Sequence, residues 1–198
     1  GDGETTGATA VDDLSDLCDK FTSDPWSIHP VLGRPVLNEN KEGGLGTDKS
    51  PYEISTADQL KNFRDIVNGA SGNPAAWAVL MENITLNSNE EWEPIGIISK
   101  QYSGTFDGNG HTISGLYIKS SSDNYQGLFG YVYGGTVKDL TVSGDINGYK
   151  YVGGIVGYNN GGTVTGCIFS GSGSVSGVTD SDYVGGIVGY NGTGATVS

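Results

Sequence analysis

One short phrase occurs three times in the last hundred residues: Gly127-Leu128-Phe129-Gly130-Tyr131, Gly154-Ile155-Val156-Gly157-Tyr158 and Gly186-Ile187-Val188-Gly189-Tyr190. A second phrase trails it at a nearly constant offset, as Gly135-Thr136-Val137, Gly162-Thr163-Val164 and a degenerate Ala195-Thr196-Val197. A unit this short cannot enclose a core of its own. It buries its apolar face only against the preceding and following copies, which is the arrangement of a solenoid. A propeller blade needs about 40 to 45 residues and four strands, more than these units supply. Of the 34 glycines, 24 lie beyond residue 100, but proline is only 6 and no three-residue glycine period exists, which excludes a collagen helix.

Laid under one another, Thr105 to Ile118, Leu128 to Val142, Ile155 to Phe169 and Ile187 to Val197 share a layout. Each has a short apolar strand, a glycine or asparagine turn, then Thr-Val or Thr-Ile opening a second strand. This alignment places Ile113, Val137, Val164 and Val197 in one column and Leu116, Leu140 and Cys167 in another. Alternation with period two sets such columns on one face of each strand. Coils stacked about 4.8 Å apart would then pair in parallel, giving a β-helix. Glycines at Asp107-Gly108-Asn109-Gly110 and Asn159-Asn160-Gly161-Gly162 suit corners, whereas Gly130, Gly157 and Gly189 inside strands point to close approach of backbones or rings.

Upstream, Ser55 or Thr56 can cap a helix with Asp58 and Gln59 in its first turn. Its apolar face would be Leu60, Phe63, Ile66 and Val67, with Gly69 ending it. A helix followed at once by strands fits the lid of a solenoid. Strands are expected at Trp77 to Met81, Ile84 to Leu86 and Glu91 to Ile98. Residues 1–10 read as disordered. Val11, Leu14, Leu17, Cys18 and Phe21 then recur at helical spacing, and prolines at 25, 30 and 35 mark an extended lead-in. The expected organisation is an irregular segment with a short helix over 1–48, the cap and first coil over 49–98, and β-helix repeats over 99–198.

Charge narrows the functional classes. The formal net charge is −13; residues 1–100 carry 17 acids and 7 bases, residues 101–198 only 6 acids and 3 lysines, and no arginine follows Arg64. There is no basic stripe for phosphates, so nucleic acid is not an expected partner. No apolar run reaches the roughly 18 residues that span a bilayer. The opening Gly1-Asp2-Gly3-Glu4 reads as sequence lying downstream of a signal or lipid anchor. Cys18 and Cys167 sit at apolar positions and read as buried free thiols rather than a bridge.

The residues resemble the GLUG-motif family of bacterial surface proteins. The likeness starts near Gly43 with Gly46-Thr47, Ser50-Pro51-Tyr52, Ile54 and Gln59-Leu60. It continues through Trp92-Glu93-Pro94-Ile95-Gly96 and Gly104-Thr105-Phe106-Asp107-Gly108-Asn109-Gly110-His111-Thr112-Ile113 to the three glycine phrases, about 150 residues in all. It implies a right-handed parallel β-helix with an N-terminal capping helix, in secreted or lipid-anchored proteins mostly labelled adhesin-like. The repeat also accompanies some immunoglobulin A peptidases. No His-Glu-x-x-His occurs here, and the two histidines lie 82 residues apart.

Tyr131, Tyr158 and Tyr190 share one column and are the expected ligand-binding residues, with Tyr125, Tyr151 and Tyr183 in an approximate second column. An outward column could stack on sugar rings or anchor a protein partner; an inward one would only pack the coils. Asp180 and Asp182, with Asp123 one or two coils away, read as turn formers, as does His111, so no catalytic residue, metal or cofactor is expected. The reading is a non-catalytic, extracellular or surface-anchored module for adhesion to a host glycan or protein. A polysaccharide lyase or hydrolase on the same fold, and a structural spacer, are the alternatives. The sequence stops within a fourth coil at Val197-Ser198 with no visible cap, so truncation or end-to-end self-association is expected.

Overall fold

The computed structural model describes residues 44–171, 173–178 and 183–198, and the backbone of two short strands before them. Those two, β1 (Trp26–Ile28) and β2 (Pro35–Leu37), pair antiparallel within a unit of residues 1–41, and residues 42–198 form a second unit. The helix expected over 11–21, Cys18, His29, Asp180 and Asp182 lie outside the described residues.

The second unit is a parallel β-solenoid with four sheets along its sides. Sheet I stacks β3 (Tyr52–Ile54), β4 (Ala78–Leu80), β6 (Thr105–Asp107), β10 (Thr136–Lys138), β14 (Thr163–Thr165) and β19 (Thr196–Val197). Sheet II holds β5 (Ile84–Thr85), β7 (Thr112–Lys119) and β11 (Thr141–Gly148), the last of which pairs with both β15 (Ile168–Phe169) and β16 (Val175–Gly177). Sheet III is β8 (Asn124–Gln126), β12 (Lys150–Gly153) and β17 (Val184–Gly185); sheet IV is β9 (Phe129–Tyr133), β13 (Val156–Asn160) and β18 (Val188–Asn191). The chain visits the four sheets in turn, and successive strands within each sheet run parallel. Thr105, Thr136, Thr163 and Thr196 are register partners, so successive coils run 31, 27 and 33 residues.

The register corrects two of the expected columns. Val137 stacks on Phe106 and under Val164 and Val197, while Ile113 belongs to sheet II beside Ile84 and Val142. Leu116 pairs with Gly144, not with Leu140. The cause is that Thr followed by an apolar residue opens a strand twice per coil, as Thr105-Phe106 and Thr112-Ile113 or Thr136-Val137 and Thr141-Val142. Aligning Thr112 with Thr136 skips one side of the solenoid.

Helix α1 (Ala57–Asn68) forms where its start and stop signals lie. Thr56 is the N-cap and accepts from the Gln59 backbone N–H, while the Gln59 side chain accepts from the Thr56 N–H, a complete capping box; Gly69 ends the helix. Leu60, Phe63 and Val67 are buried and Ile66 partly so. Phe63 meets Tyr102 at 6.1 Å and Phe106 at 5.8 Å, and both of these meet Phe129 at 5.2 Å. The lid therefore seats one aromatic ring on the first rungs of the core. Full burial of each such side chain stabilises by roughly 1.5–3 kcal/mol.

The strand expected over Glu91 to Ile98 does not form as a regular strand. Ile95 makes a lone parallel bridge to Phe129, and Ile97 a lone antiparallel bridge to Lys100. Pro94 supplies no N–H and Gly96 takes φ 77°, so a continuous ladder is broken there. The side chain of Asn68, the last residue of α1, replaces it: its Nδ2 donates to the Pro94 carbonyl at 2.9 Å and its Oδ1 accepts from the Gly96 N–H at 2.9 Å.

Candidate functional site

Sheet IV does not alternate strictly. Phe129 and Val132 are both fully buried although three residues apart, so the strand's parity breaks at Gly130; Tyr133 is exposed, while Tyr131 stays buried against its tyrosine neighbours. The same step recurs at Gly157 and Gly189. A Cβ on Gly157 would lie 2.7 Å from the Tyr125 carbonyl carbon and from the Tyr151 carbonyl oxygen, and one on Gly189 would lie 2.8 Å from the Tyr151 carbonyl carbon. These glycines let the tyrosine-bearing corner of sheet III sit directly against sheet IV.

The corner itself is formed by Tyr125, Tyr151 and Tyr183, which take φ of 63°, 57° and 63°. Left-handed backbone is uncommon outside glycine and asparagine and costs a bulky residue about 1–2 kcal/mol. Here it recurs at the same place in three coils, and it sets each ring beside the tyrosine of the following strand.

Two in-register columns result. Tyr131, Tyr158 and Tyr190 stack at 4.7 and 4.8 Å with 25° and 27° between planes. Tyr125, Tyr151 and Tyr183 stack at 5.1 Å twice, with 7° and 3° between planes. Across the columns the rings meet edge to face, Tyr151 with Tyr158 at 5.1 Å and 75°, Tyr183 with Tyr190 at 5.0 Å and 80°. Both offset stacking and edge-to-face contact favour aromatic quadrupoles. Tyr131, the first of the three expected ligand-binding residues, is buried at 8% exposure, Tyr158 and Tyr190 are half-buried and Tyr183 is 50% exposed. Desolvation, then the neighbouring phenols, raises Tyr158 above the ordinary tyrosine range; burial and then Tyr151 and Tyr131 do the same for Tyr125.

The sequence located both columns by residue. What it could not give is how the rings use their faces: within each column they stack on one another, so those faces are taken up by neighbouring tyrosines. The left-handed backbone is not marked by residue type, because tyrosine is not a residue that signals it. The available signal was the verbatim recurrence of Tyr-Val-Gly-Gly-Ile-Val-Gly-Tyr at 151–158 and 183–190.

The remaining candidates are separate from this array. His111 closes the turn begun at Gly108, and its Nδ1 lies 3.3 Å from the Asn83 amide oxygen. Cys167 is a buried free thiol whose pKa is raised by burial. Among the described residues, no group of three or more His, Cys, Asp or Glu side chains is placed to hold a metal ion, and no helix is long and apolar enough to cross a membrane.

Fold and site together define a helix-capped parallel β-solenoid carrying a double tyrosine ladder along one corner. Sequence comparison gives two relatives: a protein named "Putative Gly-rich membrane protein" from Evansella cellulosilytica, 35% identical over 109 residues, and halomucin from Haloquadratum walsbyi, 34% identical over 140 residues. These matches cover 52% and 65% of this chain but only 12% and 2% of the relatives' lengths. No family model matches. Among solved structures, a "putative immunoglobulin A1 protease" from Bacteroides ovatus superposes with a TM-score of 0.43 at 18% identity, over 79% of this chain and 66% of that one.

Proposed function

We propose that this chain is a non-catalytic cell-surface module of the GLUG-repeat type, and that its tyrosine ladder is an adhesive surface for a host glycan or extracellular protein. The observation that carries the reading is the fixed double ladder. Six tyrosines are held in place by coil register, by left-handed corners and by one another, and the partly exposed ones, Tyr125, Tyr151, Tyr158, Tyr183 and Tyr190, offer a partner phenols whose conformational entropy is already spent. Ring edges and phenol hydroxyls suit hydrogen bonding to carbonyls or sugar hydroxyls more than stacking on a sugar face. An extracellular or surface-anchored location follows from the same reading and is supported by the names of the two relatives.

The test is binding to glycan and extracellular-matrix arrays, comparing the native chain with Tyr131→Phe, Tyr158→Phe and Tyr190→Phe combined. Phenylalanine keeps the stacks and removes the hydroxyls, so circular dichroism should be unchanged. Binding lost in the folded variant supports the adhesive surface; equal binding by both moves the contact elsewhere.

A second reading, a spacer within a much longer surface protein, is favoured by the relatives' lengths. It predicts no binding by either protein and a ladder that serves stiffness alone.

A further inference from the structure

We propose that the double tyrosine ladder is a site of oxidative self-cross-linking, at which a one-electron oxidant joins Tyr151 to Tyr183 by a carbon–carbon bond between their rings. Six tyrosines from three coils form one unbroken set of ring contacts, with centroids 4.7 to 5.8 Å apart. Tyr151 is the hub and touches Tyr125, Tyr158, Tyr183 and Tyr190. An electron hole made on any other ring is therefore one contact from Tyr151, or two if it starts on Tyr131.

The coupling chemistry selects the pair. A phenol that loses an electron and its hydroxyl proton becomes a neutral phenoxyl radical, whose unpaired electron is shared with the carbons ortho to the oxygen. Two such radicals combine ortho carbon to ortho carbon. Each joined carbon then gives up its hydrogen as a proton while the oxygen regains one, which restores both phenols. In sum two tyrosines yield one dityrosine, two electrons and two protons; hydrogen peroxide turned over by a haem peroxidase takes up both and leaves as two waters. Parallel rings bring equivalent edges together, whereas an edge-to-face pair does not. Tyr151 has two nearly parallel partners, Tyr125 at 7° and Tyr183 at 3°, both at 5.1 Å. Tyr125 is also packed against Tyr131 and Tyr158. Tyr183 is 50% exposed, and its only other ring contact among the described residues is Tyr190. It meets the oxidant, sheds its proton to water and has the room to close on Tyr151. Holding the two rings together replaces the encounter of dilute radicals by one between neighbours, at a far higher effective concentration.

Tyr133 supplies the contrast. It lies on the same strand as Tyr131 and is 56% exposed, yet it makes no ring contact among the described residues. Oxidation governed by exposure alone would favour Tyr133; oxidation governed by stacking leaves it out. The product would staple positions 32 residues apart across adjacent coils, as a disulfide closes a loop. The inference stands on ring geometry and not on the adhesive reading, and its test contains no binding partner, so either can fail alone.

The test is photo-oxidation of the dilute protein with tris(bipyridyl)ruthenium and persulfate, in which each ruthenium(III) takes one electron and which runs in buffer and in urea alike. Expected in buffer are the blue fluorescence of dityrosine on a chain that still runs as a monomer in denaturing gels, and a linked peptide joining Tyr151 to Tyr183, lighter by two hydrogens. The urea-unfolded chain should give roughly tenfold less of that link. Tyr183→Phe keeps the stack and should abolish the link with circular dichroism unchanged, while Tyr133→Phe should leave it at the native level. Cross-links between chains only, links through Tyr133 as frequent as through Tyr183, equal yields from folded and unfolded chains, or hydroxylated tyrosines without coupling would each overturn the proposal.

Discussion

The ring of Tyr151 lies 5.1 Å from that of Tyr183 with 3° between their planes, and both residues hold left-handed backbone. The stack and the strained corner are one device, because the positive φ aims each side chain at the neighbouring coil. Replacing Tyr151 by alanine removes contacts with four other tyrosines and keeps the strain, at an expected cost of about 2–3 kcal/mol. Tyr151→Gly removes the same contacts and relieves the strain, so it should be the more stable of the two by about 1 kcal/mol. At Tyr158, which has no positive φ, the order should reverse. Urea unfolding of the four variants measures this. Alanine and glycine ranking alike at both sites would separate the corner from the stacking.

The glycines of the repeat divide by what surrounds them. Gly157→Ala sets a methyl 2.7 Å from two backbone segments and should cost about 3 kcal/mol or prevent folding. Gly134→Ala meets no atom within 4 Å but must hold φ 69°, for about 1 kcal/mol. Gly186→Ala meets nothing and has no positive φ, so it should be neutral within about 0.5 kcal/mol. Thermal unfolding of the three single variants gives the ranking, and a well-folded Gly157→Ala protein would contradict the packing described for the corner.

Much of this was legible beforehand because the repeated residues carry the signal themselves. Tyr131, Tyr158 and Tyr190 recur within identical phrases, so their register could be set by eye, and Thr56, Gln59 and Gly69 announce the helix ends. The columns of Ile113 and Leu116 are not legible in the sequence because sheets I and II open with the same Thr-apolar pair, and local pattern does not say which side of a coil a strand occupies. The loss of the strand at 91–98 depends on Asn68, a residue 26 positions before Pro94, whose partners only the fold reveals. Ring orientation and positive φ at tyrosine depend on packing between coils, which a single copy of the repeat does not encode.

Asn68 is thus the tie between lid and first coil. Asn68→Ala leaves the Pro94 carbonyl and the Gly96 N–H without their side-chain partner at a half-buried site, costing about 2 kcal/mol. Thr56→Ala, which removes one cap acceptor from the same helix, should cost about 1 kcal/mol. Hydrogen exchange locates the effect: Asn68→Ala should speed exchange in residues 91–98 as well as in α1, whereas Thr56→Ala should act on α1 alone. Equal patterns would mean that the lid and the 91–98 stretch open as one unit.

Alkaline pH acts on the buried phenols. Tyr102 is fully buried, donates its hydroxyl to the Ala76 carbonyl at 3.0 Å, and is held well above the ordinary value of 10.0 by desolvation. Tyr52, Tyr125 and Tyr158 are raised as well, chiefly by desolvation. A raised acid keeps its proton in the folded state after the unfolded chain has lost it. The native state then binds more protons, and stability falls as pH rises. The contribution of these groups is complete below pH 10 and is lost progressively above it, through the raised values. Urea midpoints should therefore hold steady up to about pH 10 and drop steeply beyond, with phenolate absorbance lagging behind that of free tyrosine. Tyr102→Phe should flatten the drop. If Tyr102→Phe left the alkaline limb as steep as before, the loss would have to originate in the ladder rather than beneath the lid.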